Sequence, residues 1–294
     1  MERTDIVVGY DGSAPSRTAL RYAVSEARLR NAPVRVIAVF DYDWRGARFG
    51  GAQALELPVR QRIEAMVDEA IAETVAEVRV TVPDLAITGV ARLGSPGPAL
   101  LEASRTAALV VVGNRGHGGF GGLMLGSVSQ DVATRANCPV IVVRGKVDTA
   151  DGPVVVGADG SDRGDHTLGV AFEEAARRGA PLIAVRAYPM PAAYGLMALG
   201  GVPFDADDLK DVEAEALADS VRPWREKYPD VEVETLVARG SPGRVLVDVS
   251  SSAGLVVVGS HGHGAITATL LGSISLQVLH HADCPVLVAR PDAG

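Results

Sequence analysis

Two doubly wound α/β domains in tandem, each a parallel sheet flanked by helices, are what this sequence predicts. Three observations carry that expectation. The chain has 294 residues, the length of about two ordinary domains. Its second half repeats its first. Within each half, short apolar runs alternate with longer helical patterns, as a parallel sheet with crossover helices requires.

The repeat is legible block by block. Val7-Val8-Gly9-Tyr10-Asp11-Gly12-Ser13 returns as Val155-Val156-Gly157-Ala158-Asp159-Gly160-Ser161, an offset of 148 residues. Gly94-Ser95-Pro96-Gly97 returns as Gly240-Ser241-Pro242-Gly243, now at an offset of 146. Val110-Val111-Val112-Gly113 and Cys138-Pro139-Val140 return at that same offset as Val256-Val257-Val258-Gly259 and Cys284-Pro285-Val286. A period this long means two copies of a domain, not a solenoid of small repeats. The polar stretch 145–152 separates them, so the domains are expected at 1–146 and 153–294.

In the first copy, strands are expected at Asp5–Gly9, Val34–Phe40, Leu85–Ala91, Leu109–Gly113 and Val140–Arg144. Each is rich in Val, Ile or Leu without alternation, the pattern of strands buried on both faces. The first helix carries Leu20, Ala23, Val24 and Ala27 at helical spacing, and its counterpart carries Leu168, Ala171, Phe172 and Ala175. Such a stripe packs against a sheet. The long stretches 41–58 and 188–206 follow the second strand of each copy. They are read either as excursions packed on their own domain or as a lid or partner surface. Gly94-Ser95-Pro96-Gly97 reads as a strand-to-helix turn.

Composition excludes several classes of function. The formal net charge is −8, and an acidic surface repels phosphate backbones, so no nucleic-acid partner is expected. No apolar run has the length of a membrane span, and the N-terminus lacks the pattern of a signal peptide. No membrane partner is expected either, and the location expected is cytoplasmic. Cys138 and Cys284 are too few for a disulfide framework and lack metal-ligand spacing. His117, His261, His263, His280 and His281 show no ligand spacing with carboxylates, so no protein-held metal is expected.

The most informative stretch follows the fourth strand. From Gly113 through Gly116 to Gly126-Ser127 it reads G-x₂-G-x₉-G-S, continuing with Val128 and Ser129. The second copy keeps that spacing at Gly259, Gly262 and Gly272-Ser273, followed by Ile274 and Ser275. Glycine lets backbone approach an anion closely or take positive φ. A Gly-Ser step that opens a helix presents amides and hydroxyls to a phosphate, aided by the helix dipole. In open α/β sheets this position, beyond the carboxyl ends of the strands, is where ligands bind.

With these motifs the chain resembles a tandem universal stress protein of the ATP-binding type, over both halves almost end to end. The resemblance implies a five-stranded sheet of order 3-2-1-4-5 in each domain, the two domains pairing through their fifth strands, Val140–Arg144 and Val286–Arg290, as a pseudo-two-fold dimer. It implies that Asp11 and Asp159 lie near adenine and ribose, and that Val39 and Val185 meet the adenine edge through their backbones. Gly113, Gly116, Gly126, Ser127, Val128 and Ser129 would hold ribose and phosphates, as would Gly259, Gly262, Gly272, Ser273, Ile274 and Ser275. Arg115 and His261 share one loop position. Two ATP per chain are expected, with Mg²⁺ arriving on the nucleotide; a homodimer of whole chains is compatible with this reading.

The sequence contains no G-x₄-G-K-[ST] loop, nucleophile elbow or kinase catalytic loop. A nucleotide-binding regulatory module in a stress response is therefore the expected function. A slow ATPase and an interaction scaffold with vestigial pockets are the alternatives.

Overall fold

The computed structural model describes residues 4–40, 57–116, 125–147, 152–188, 206–260 and 271–290. They form two compact units, the first ending at Val143 and the second running from Arg144. In the first unit β1 (Ile6–Tyr10) leads to α1 (Ala14–Arg30), β2 (Val34–Phe40), α2 (Leu57–Thr81) and β3 (Ile87–Leu93). There follow α3 (Pro96–Ala103), β4 (Leu109–Gly113), α4 (Ser127–Arg135) and β5 (Val140–Val143). The strands lie in the order β3-β2-β1-β4-β5, and the described pairings among them are parallel.

The second unit begins with β6 (Val154–Gly157), α5 (Asp162–Arg178), β7 (Leu182–Tyr188), α6 (Ala206–Lys227) and β8 (Val233–Arg239). It ends with α7 (Pro242–Ser250), β9 (Leu255–Gly259), α8 (Ser273–His281) and β10 (Val286–Ala289). Its order, β8-β7-β6-β9-β10, is that of the first unit. Chain order reverses on either side of β1 and of β6, so each unit has its crevice there, at the carboxyl ends of the strands.

Differences from the sequence reading are small and have causes. β1 and β3 sit one and two residues later than expected, because the parallel ladder pairs Ile6 with Val34 and Val34 with Ile87. β4 is buried at every position, whereas β3 is largely exposed after Ile87. It is the edge strand, and its apolar composition overstated its burial. In α1 the stripe is Ala19, Leu20, Ala23 and Ala27, with Val24 half-buried, while all four expected positions of α5 are buried. Each helix also buries a carboxylate, Glu26 and Glu174, paired with Arg30 and with Arg177 and Arg178.

Candidate functional site

The site starts at the tip of β1. Asp11 accepts hydrogen bonds at Oδ1 from the Ser13 amide (3.0 Å) and hydroxyl (2.6 Å), which closes the turn into α1. Ser13 in turn caps α1 by accepting from the Ser16 amide at 3.3 Å. Asp159 and Ser161 repeat this at the tip of β6, with bonds of 3.0 and 2.7 Å, and Ser161 accepts from the Gly164 amide. In both turns the intervening glycine, Gly12 or Gly160, takes positive φ (80° and 76°).

The loop glycines do not. Among the described ones, Gly113, Gly116, Gly126, Gly259 and Gly272, none has positive φ. Their need is for space. A Cβ on Gly116 would stand 2.4 Å from Asp11 Oδ2, and one on Gly113 would stand 2.8 Å from the Pro15 carbonyl carbon. The turn after β1 and the loop after β4 therefore meet, with Asp11 against Gly116 and Pro15 against Gly113.

Opposite them lies the start of α4. Its N-cap is Gly126, which offers no side-chain acceptor. The Gly126 carbonyl takes the first intrahelical bond, from the Gln130 amide at 2.9 Å, so the amides of Ser127, Val128 and Ser129 precede the helical ladder. Such orphan donors at the positive end of the helix dipole make an anion site. In α1 and α5 a seryl side chain caps that end; α4 and α8 have glycine there.

Two hydrogen bonds hold the α4 terminus against β4. The Gly126 amide donates to the Asn114 carbonyl at 2.7 Å, and the buried Ser129 hydroxyl donates to the Gly113 carbonyl at 2.6 Å. The second unit reproduces both: Gly272 amide to Ser260 carbonyl at 3.0 Å, and Ser275 hydroxyl to Gly259 carbonyl at 2.6 Å. The hydroxyls of Ser129 and Ser275, residues the resemblance places at the ligand, are buried and donate to these carbonyls, which leaves their backbone amides as the groups for outward contacts at the helix start. Ser127, Ser273 and Ile274 are exposed and Val128 is half-buried.

Val39 and Val185 are not equivalent. Val39 is half-buried near the end of β2. Val185 lies level with Gly157, as Ile37 lies level with Gly9, and it is buried with its carbonyl taking the Ala158 amide at 2.9 Å. By register Ala187, not Val185, is the counterpart of Val39. Arg115 is exposed beside the start of α4, its Cα 3.4 Å from where a Gly126 Cβ would be. His261 and Gly262 lie outside the described residues, as do most of 41–58 and 188–206. The sequence reading missed Asn114 and Ser260, whose contribution is a carbonyl and leaves no mark on composition.

Among the described residues no cluster of His, Cys, Asp or Glu could hold a metal ion. No helix among them is long and apolar enough to cross a membrane.

Comparison with known proteins agrees with this architecture. The family model described as "Universal stress protein family" matches residues 2–144 and again 152–290. A universal stress protein of Mycobacterium tuberculosis is 38% identical over 295 residues, spanning 97% of this chain and 96% of the relative. One from Mycolicibacterium smegmatis is 36% identical over 295 residues, with 97% of each chain covered. The crystal structure of a universal stress protein from Archaeoglobus fulgidus superposes with a TM-score of 0.70 at 18% identity, covering 98% of this chain and 97% of that one. With two copies of one family's domain end to end, and full-length relatives built the same way, the chain belongs to the universal stress protein family as a tandem-domain member.

Proposed function

We propose that each unit binds one nucleotide, ATP in both, and that occupancy rather than turnover is the output. The observation that carries this reading is the helix start at Gly126, repeated at Gly272. In each unit glycine replaces the side-chain cap, and a buried seryl bond fixes the terminus beside the strand tip. Phosphates would lie on the amides of residues 127–129 and 273–275. Ribose would lie toward Asp11 or Asp159, and Mg²⁺ would arrive with the nucleotide. The fit is supported by the close approach at Gly116, where backbone faces Asp11 with no room for a side chain. Fixed amides bind ground-state phosphates as well as a transition state, and uniform binding does not lower a barrier. That favours a stress-response sensor or switch.

Calorimetric titration of the nucleotide-free full chain tests the reading. Two ATP per chain are expected, and mass spectrometry of gently purified protein should find ATP rather than ADP. No heat and no bound nucleotide would overturn it; bound ADP would replace the switch by a slow ATPase.

A further inference from the structure

The two crevices differ at one buried-to-charged exchange that the motifs do not reveal. On β7, two residues before its end, stands Arg186, and at the same level of β2 stands Ala38, which is buried. Arg186 Nε is ion-paired with Glu213 Oε2 on α6. Counting between the matched helices α2 and α6, the counterpart of Glu213 is Val67: Val67, Ile71 and Val75 are the buried run of α2, and Leu217 and Val221 continue that run in α6. An apolar pair in the first unit is thus a guanidinium–carboxylate pair in the second.

The guanidinium is aimed. Its Nη1 lies 3.0 Å from where a Cβ on Gly160 would stand, against the backbone of the Asp159-Gly160-Ser161 turn. Glu213 accepts from Nε and holds the group in place, with Nη1 the donor nearest the turn. Both partners are about four-fifths buried (19% and 22% exposed), so the charge acts in a partly desolvated setting. In the dinucleotide-binding doubly wound fold a carboxylate accepts from the ribose 2′-hydroxyl, and an arginine nearby accommodates a 2′-phosphate. Arg186 offers the same chemistry beside the Asp159 turn, toward which the ribose would lie.

We propose that Arg186 is a specificity-determining residue of the second unit, which takes a nucleotide carrying a phosphate on its ribose in preference to one with free ribose hydroxyls. The inference rests on the reading of the crevice as a nucleotide site. The first unit, with Ala38, makes no such distinction.

The test uses the full chain and three probes: AMP, adenosine 2′,5′-bisphosphate and adenosine 3′,5′-bisphosphate, titrated calorimetrically. Gly116→Ala isolates the second site. There, one of the bisphosphates should bind about tenfold tighter than AMP, from which it differs only by the ribose phosphate, the worth of one charge-assisted hydrogen bond. Arg186→Ala should erase that preference while leaving AMP binding in place, and Arg186→Lys should restore part of it. A circular dichroism melt confirms that each variant is folded. Equal binding of all three probes by the second site, or a preference that survives Arg186→Ala, overturns the proposal while the nucleotide reading stands. Binding of none of the three by the unsubstituted chain overturns both.

Discussion

At the scale of single residues, the cradle depends on what glycine omits. A methyl group at Gly116 would meet Asp11 Oδ2 at 2.4 Å, so the carboxylate must turn aside or the loop must retreat from it. Gly116→Ala should therefore cost the first unit its nucleotide, reducing calorimetric stoichiometry from two to one. The fold should survive, at a cost of about 1 kcal/mol for the disturbed Asp11–Ser13 bonds. The two cysteines make the opposite kind of point, being chemically silent. Cys138 and Cys284 are buried, and burial pushes the Cys284 thiol up to about 12 from its ordinary 9. Folded protein should not react with a thiol-specific chromogenic disulfide at pH 8, and urea-unfolded protein should release two equivalents. The unfolded thiol ionises before the folded one does. Cys284 thus adds stability that is complete below about pH 9 and is lost as pH rises toward 12.

At the scale of elements, α1 and α5 show what hydrophobic periodicity reads and what it misses. The stripe Leu168, Ala171, Phe172 and Ala175 was legible because apolar spacing is itself the cause of packing. Glu26 and Glu174 were not, since a glutamate in an amphipathic pattern is assigned to solvent. Both are at most 3% exposed, and each depends on arginines one turn away. Glu174→Ala would take from Arg177 and from Arg178, whose side chain is 9% exposed, the buried carboxylate that both pair with. It should destabilise by about 3 kcal/mol, read as a shift in urea midpoint. Glu26→Ala should cost less, because Arg30 is 17% exposed and recovers some hydration. The strand ends teach the same lesson. Val39 and Val185 were matched across an offset of 146, while the ladder sets 148 through β2 and β7. Register is a property of paired strands and cannot be read from one run of valines.

At the scale of the whole molecule, the duplication and the alternation of apolar and helical runs made the fold legible, and the repeated glycine spacing pointed to the turns and helix starts of the candidate site. The parts that escaped lie between elements distant in sequence. The hydroxyl bonds of Ser129 and Ser275 span sixteen residues back to a carbonyl, and Arg186 hid inside an apolar run because its partner Glu213 is on another element. Asn114 and Gly126 are joined by a direct backbone bond, and Ser129 ties the same two segments once more. These two bonds hold the strand tip to the helix start directly. Loop closure cost grows only as the logarithm of length. A change of length between Gly116 and Gly126 should leave the amides of residues 127–129 in place, so that segment is the position where the chain can acquire new recognition while the helix start keeps its form.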